Sequence, residues 1–192
     1  MQVEAYFSKL GSLGAGAIAT DRDGKEMPLD EGMARFLEMY QALPGKDCKA
    51  MIIGNGGSSA IASHFATDFT KNGHIPTQVF SDAAIITCLS NDLGYENVYA
   101  FQVDSYGRSG DLLIAISSSG TSKNILKAVE AARAKGADVV TMSGFKADNP
   151  LRQMGDLNIY VPIEHYGFVE CAHFVQLHVI IDAVMNLWPE KG

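Results

Sequence analysis

The period of the hydrophobic positions changes near residue 45 of this chain. Before it, two stretches repeat apolar residues at helical spacing. The first covers residues 3–18. The second covers residues 30–43 and puts Met33, Phe36, Leu37 and Tyr40 on one stripe. Asp21-Arg-Asp-Gly24 between them is a turn signal, and Pro44-Gly45 closes the second helix. Residues 1–45 therefore read as an N-terminal helical hairpin. Beyond them, short apolar runs recur at 50–53, 77–80, 112–116, 139–142 and 158–161. Helical patterns fall between several of these runs, at 58–71, 82–90, 96–106 and 122–135, and a long amphipathic stretch at 168–187 ends the chain. Strands separated by helices predict a parallel sheet covered on both faces, hence one α/β domain over residues 1–192.

Composition narrows the class without naming a function. The chain has 192 residues, of which 47% are hydrophobic and 19% charged, enough for an ample core. A formal charge of -7 supplies no electrostatic footprint for nucleic acid. An anionic ligand would have to be held by local backbone dipoles and hydroxyls. Cys48, Cys88 and Cys171 are too dispersed for a disulfide framework or a thiolate zinc site, and read as small buried hydrophobes. The opening residues carry no signal-peptide pattern, and the apolar runs fall short of about 20 residues. The expectation is a cytoplasmic protein without a membrane span.

Two strand-to-helix junctions carry the chemistry. One is Gly54-Asn-Gly-Gly-Ser-Ser59, the other Ser117-Ser-Ser-Gly-Thr-Ser122. In a parallel α/β sheet, ligands collect at the carboxyl ends of strands, where helix N-termini point. Serine before a helix is an ordinary cap. Five hydroxyls within six residues exceed that need and fit an anion held by hydroxyls and free N–H groups. Neither turn is followed by the Gly-Lys-Ser/Thr of a P-loop, and the dinucleotide fingerprint lacks its third glycine at Ser59. A small phosphorylated metabolite suits the pattern better than a nucleotide.

His64 and Asp68 stand at i and i+4, on one helix face. Glu170 and His178 are eight residues apart on the last helix, about 80° apart around its axis. Two carboxylates and two imidazoles could bind zinc or a similar divalent ion, or run acid–base chemistry without one. The alternative is a local polar pair on a solvated face. His173 shares the last helix, whereas His74 and His165 sit in loops as surface or local hydrogen-bonding residues.

The strand-GNGGSS-helix, the 117–122 turn and the histidine-bearing terminal helix together resemble the sugar isomerase (SIS) domain, over residues 49 to 187. Within it, the chain looks most like the phosphoheptose isomerases, which interconvert sedoheptulose 7-phosphate and an aldoheptose 7-phosphate. The resemblance implies a three-layer sandwich around a five-stranded parallel sheet of flavodoxin-like topology. It implies a phosphate held by Ser117, Ser118, Ser119 and Ser122. A sugar would be touched by Asn55, Gly56, Gly57, Ser58, Asn91 and Asp92. It implies Zn2+ bound by His64, Asp68, Glu170 and His178, with His178 also a general acid and Asp68 or Glu170 the base. A homotetramer with sites at subunit contacts is implied as well. Asp68 stands where the family carries glutamate, and Glu170 where it carries glutamine. Those exchanges keep open a non-catalytic sugar-phosphate-binding or regulatory protein, or an isomerase for another sugar phosphate.

Overall fold

A computed structural model describes residues 2–43 and 48–187. It begins with helix α1 (Val3–Ala15), strand β1 (Ile18–Asp21), strand β2 (Glu26–Met27) and helix α2 (Leu29–Gln41). The α/β alternation follows as β3 (Ala50–Ile53), α3 (Gly57–Lys71), β4 (Thr77–Val79), α4 (Ala83–Leu93) and α5 (Val98–Tyr106). It continues with β5 (Leu112–Ser117), α6 (Lys123–Ala134), β6 (Asp138–Ser143), β7 (Leu157–Tyr160) and α7 (Tyr166–Val184).

The sheet runs β2-β1-β7-β6-β5-β3-β4. Its five strands from β7 to β4 are parallel, as expected from the sequence. Their order, renumbered from the first of them, is the 2-1-3-4-5 order of flavodoxin-like sheets. The N-terminal segment differs from expectation. Ile18 ends no helix; it opens an antiparallel hairpin whose first strand pairs with β7, Ala19 opposite Ile159. The turn at residues 21–24 is the tip of that hairpin, where Asp21 Oδ1 accepts the N–H groups of Asp23 and Lys25 at 2.9 Å. The sheet thus has seven strands, and α1 and α2 are separated by a hairpin instead of forming one. The helix stop at Pro44-Gly45 lies outside the described residues.

Both faces of the central strands are buried, which is why their sequences are continuous apolar runs. Along β5, Leu112, Ile114 and Ile116 enter one core with α2, α3 and α7, while Leu113 and Ala115 enter the other with α5 and α6. α7 has the length and apolar character of a membrane span. Here its inner face buries Val169, Ala172, Leu177, Ile180 and Ile181 in the first core. The cysteines depart from the expectation of burial: Cys88 and Cys171 are exposed on the outer faces of α4 and α7, and Cys48 is half-buried. His165 caps α7, its Nδ1 accepting from the Phe168 N–H at 3.4 Å, and His74 is exposed.

Candidate functional site

The turn between β5 and α6 lies at the carboxyl edge of the sheet, beside the N-termini of α3 and α7. Ser117, Ser118, Ser119 and Ser122 line a cleft of about 120 Å³ with Asn55, Ser58, Tyr166 and Glu170. The turn is held from within. The Gly120 N–H donates to the Ser117 carbonyl at 3.0 Å and to its Oγ at 3.2 Å, and Ser117 Oγ donates to Ser122 Oγ at 3.3 Å. It is also held from behind. The buried Asn149 amide donates to the Gly144 carbonyl at 3.1 Å, and its oxygen lies where a side chain on Gly120 (φ +65°) would stand. Only glycine fits there. Ser118 is 5% exposed, and its Oγ has no hydrogen-bond partner among the described residues. A buried hydroxyl without a partner costs roughly 1–3 kcal/mol, so a ligand that supplies one is favoured.

Asn55, the second residue of the glycine turn, is fixed by a partner that the sequence did not single out. Its Nδ2 donates to Asn124 Oδ1 and its Oδ1 accepts from Asn124 Nδ2, both at 2.9 Å. Tyr95 OH donates to the same Oδ1 at 3.0 Å, and Tyr99 OH donates to the Gly54 carbonyl at 2.6 Å. Burial, reinforced by Tyr95 and opposed by a hydrogen bond with Ser59, pushes the Tyr99 phenol up to about 12, so it stays a neutral donor. Asn124 sits at the second position of α6, a buried amide where a cap residue would pass unnoticed. Its partner is 69 residues away, so sequence proximity gives no hint of the pair. Asn91 and Asp92 are exposed near the end of α4, bonded to each other at 2.8 Å and outside the cleft lining.

A second constellation lies further along α3 and α7. One ligand atom each from His64, Asp68 and His178 falls within 4.8 Å of the others. His64 Nε2 is 3.2 Å from Asp68 Oδ2, and the two imidazole centroids are 5.5 Å apart. Phe65 and Phe174 flank the His178 ring at 4.9 and 4.8 Å. Two imidazoles and a carboxylate match the donor set of a three-ligand metal site with an open position. Glu170 does not join them. Eight residues of helix put it about 12 Å along the axis from His178, and its carboxylate lies against Gly57 in the serine-lined cleft. The expected four-ligand set is therefore three within this chain. His173, fully buried, is also elsewhere. Its Nε2 contacts the Ser143 carbonyl at 3.1 Å, and burial lowers its pKa to about 4 against that bond.

An α/β sheet of this order, with an anion-sized serine cleft at its carboxyl edge, defines a SIS-domain protein. A family model described as the SIS domain matches residues 34–144. The phosphoheptose isomerase of Serratia proteamaculans (strain 568) is 40% identical over 145 residues, 71% of this chain and 73% of its own. That of Klebsiella pneumoniae (strain MGH 78578) is 40% identical over 150 residues, 75% of this chain and 76% of its own. The solved phosphoheptose isomerase of Neisseria gonorrhoeae is 29% identical, with a TM-score of 0.82 over 95% of this chain and 97% of that one. The chain belongs to the phosphoheptose isomerase family.

Proposed function

We propose that the chain isomerises sedoheptulose 7-phosphate, moving the carbonyl between C2 and C1 through an enediol(ate). The observation that carries this reading is the pairing of two sites on one helix pair. Ser118, whose buried hydroxyl has no hydrogen-bond partner among the described residues, lines a serine cleft at the helix starts, and a His64–Asp68–His178 cluster lies further down.

Ser117, Ser118, Ser119 and Ser122, with the first N–H groups of α6, take the phosphate. Asn55, Gly56, Gly57 and Ser58 border the sugar, and Asn91 and Asp92 lie beyond it at the α4 end. Asp68 takes a proton from C1 of the ketose and returns one to C2. His178 shifts a proton between the two oxygens, so the product has the same atoms as the substrate. Asp68 has one oxygen against His64 and the other accepting from Asn72 at 3.4 Å, which fixes the plane of the carboxylate. His64, Asp68 and His178 would also hold Zn2+, which when bound polarises the carbonyl oxygen as a Lewis acid. Glu170 belongs to the phosphate end on this reading and is not the base.

The same reading makes the protein a cytoplasmic homotetramer with sites at subunit contacts. Two surfaces support assembly. α4 exposes Ile85 and Leu93 and buries only Leu89 of its 11 residues. A groove of about 620 Å³ between α1, α2 and α7 is lined by Phe7, Leu10, Met33 and Val175. Light scattering of wild type and Ile85→Glu tests the assembly, with a tetramer lost in the variant as the expected result. For the reaction, the purified protein with its metal content measured is incubated with sedoheptulose 7-phosphate, and the aldose is followed by NMR. Turnover abolished by Asp68→Ala is expected. Binding without turnover in the wild type would instead leave a sugar-phosphate-binding protein.

A further inference from the structure

Three non-glycine residues among the described ones have positive φ, and Phe145, at +59°, is the bulkiest. Such a conformation is costly for a large side chain and persists where the surroundings fix it. They do so here. The Phe145 N–H donates to the Ile163 carbonyl at 3.1 Å, and its carbonyl accepts from Tyr160 OH at 2.7 Å. Tyr160 is itself covered by the Arg152 guanidinium, 4.4 Å from the ring centroid. Gly144, directly after β6, ties this corner to the serine turn, its N–H donating to the Ser118 carbonyl at 3.0 Å. A β-carbon on Gly144 would lie 2.7 Å from both γ-carbons of Val169, so glycine is what lets the corner meet the first turn of α7. The corner sets the Phe145 ring edge-on against Tyr166, the first residue of α7, with centroids 4.8 Å apart and planes at 68°. Tyr166 lines the serine cleft and yet is 61% exposed.

We propose that Tyr166 is a specificity-determining residue, a ring surface against which the carbon chain of a phosphorylated sugar packs next to its phosphate. This rests on the reading of the serine cleft as the phosphate end of the substrate. A cleft of about 120 Å³ takes a phosphate group and little else, so the carbons attached to it leave over the rim. A sugar chain carries C–H bonds beside its hydroxyls, and an aromatic ring takes that apolar side. Phe145 is a positioning residue: it braces the ring before the ligand arrives, so less side-chain freedom is lost on binding. Inorganic phosphate has no carbon to place there. The ring therefore favours the phosphate ester of a carbon chain over the free ion.

Affinities for inorganic phosphate and for sedoheptulose 7-phosphate are measured by calorimetry on the intact protein, with Tyr166→Phe, Tyr166→Ala and Phe145→Gly alongside. Glycine adopts positive φ without strain, so Phe145→Gly deletes the brace while favouring the corner. Tyr166→Ala should bind the sugar phosphate on the order of ten-fold more weakly than wild type. Tyr166→Phe should stay within about two-fold, and Phe145→Gly should fall between. Inorganic phosphate should bind alike to all four proteins, a selectivity that general damage to the site would not produce. Equal losses in Tyr166→Phe and Tyr166→Ala would assign the effect to the phenol hydroxyl and overturn the proposal. So would a matching loss of inorganic phosphate, unchanged sugar-phosphate affinity in Tyr166→Ala, or no sugar-phosphate binding to wild type. Wild-type affinity in Phe145→Gly would overturn the bracing step. Turnover is followed on the same samples. A selective loss of sugar-phosphate affinity without turnover in any protein rejects the isomerase reading and leaves this one standing. Turnover in wild type with unchanged affinity in Tyr166→Ala does the reverse.

Discussion

Truncating Asn124 to alanine tests whether the glycine turn is held by its amide partner. The substitution deletes two reciprocal hydrogen bonds to Asn55, each 2.9 Å long. It also removes the Oδ1 that accepts from the Ile125 N–H at 3.0 Å, but that N–H keeps the Ser122 carbonyl at 3.0 Å. Asn55 Oδ1 likewise keeps Tyr95. What is lost is two net bonds of about 1 kcal/mol each, plus roughly 1–2 kcal/mol for a partly buried Asn55 N–H left without an acceptor. The expected destabilisation is therefore about 3–4 kcal/mol, read by urea unfolding at unchanged m-value. Because Asn55 borders the proposed sugar position, its KM for sedoheptulose 7-phosphate should rise several-fold, with a smaller change in kcat. The decisive measurement is a double-mutant cycle with Asn55→Ala, where the pair should couple by about 1–2 kcal/mol. Losses that add to within about 0.5 kcal/mol, with KM unmoved, would refute the claim that Asn124 acts through Asn55.

Two other outcomes follow from buried charge. Asp111 is 1% exposed and accepts from Lys49 Nζ at 2.5 Å, the Lys49 N–H at 3.0 Å and the Arg108 N–H at 2.9 Å. Asp111→Ala removes the ion pair and leaves the Lys49 and Arg108 N–H groups without this acceptor, while Lys49 Nζ keeps the Tyr106 carbonyl at 2.7 Å. It should cost about 2–4 kcal/mol in chemical denaturation, and a loss under about 1 kcal/mol contradicts it. His173 has its pKa pushed down from 6.5 to about 4 by burial, with the Ser143 carbonyl opposing. Below pH 6.5 the unfolded chain takes up a proton that the folded chain refuses, so this group's contribution is full above 6.5 and is lost as pH falls toward 4. The loss reaches roughly 3 kcal/mol. His173→Gln, which retains a donor for Ser143, should lose less stability than wild type between pH 7 and 4.5, and equal losses would contradict the assignment.

The parallel strands and the serine turn were legible because their signals are local. Leu112 to Ile116 is apolar at every position since both faces are buried, and a run of hydroxyls after such a strand lands at its carboxyl edge. The β1–β2 hairpin was not legible. Four residues, Ile-Ala-Thr-Asp, are too few to separate a strand period from the end of a helix, and β1 exists through pairing with β7, about 140 residues later. Its fit is tertiary too: a side chain on Gly32 would strike Ala19 Cβ, so α2 can close over β1 only with glycine there. Within one chain Glu170 stands apart from His178 for a different reason. Its angle to His178 on a helical wheel, about 80°, suggested a shared site, but the axial rise of eight residues, about 12 Å, separates them. Cys88 and Cys171 failed similarly, because helix position and not residue type decided their exposure.

The geometry of α3 and α7 bears on whether an aspartate at position 68 suits proton transfer. Reach from the backbone is one methylene shorter than with glutamate, and misplacement of about 1 Å costs on the order of 10²-fold in rate. In this chain the carboxylate is set by neighbours on both sides. His64, one turn earlier, holds Oδ2 at 3.2 Å, and Asn72, one turn later, donates to Oδ1 at 3.4 Å. His178 is in turn boxed by Phe65 from α3 and Phe174 from its own helix, rings that also pack on each other at 5.2 Å. The cluster is thus built on two packed helices and not on loops, which is the arrangement that holds catalytic groups to a fraction of an ångström. A short carboxylate fixed in this way sets its own reaction distance. If that distance is right, Asp68→Glu should lower kcat by pushing the carboxylate past it. If the aspartate is merely a weakened version of a longer base, the same substitution should raise kcat.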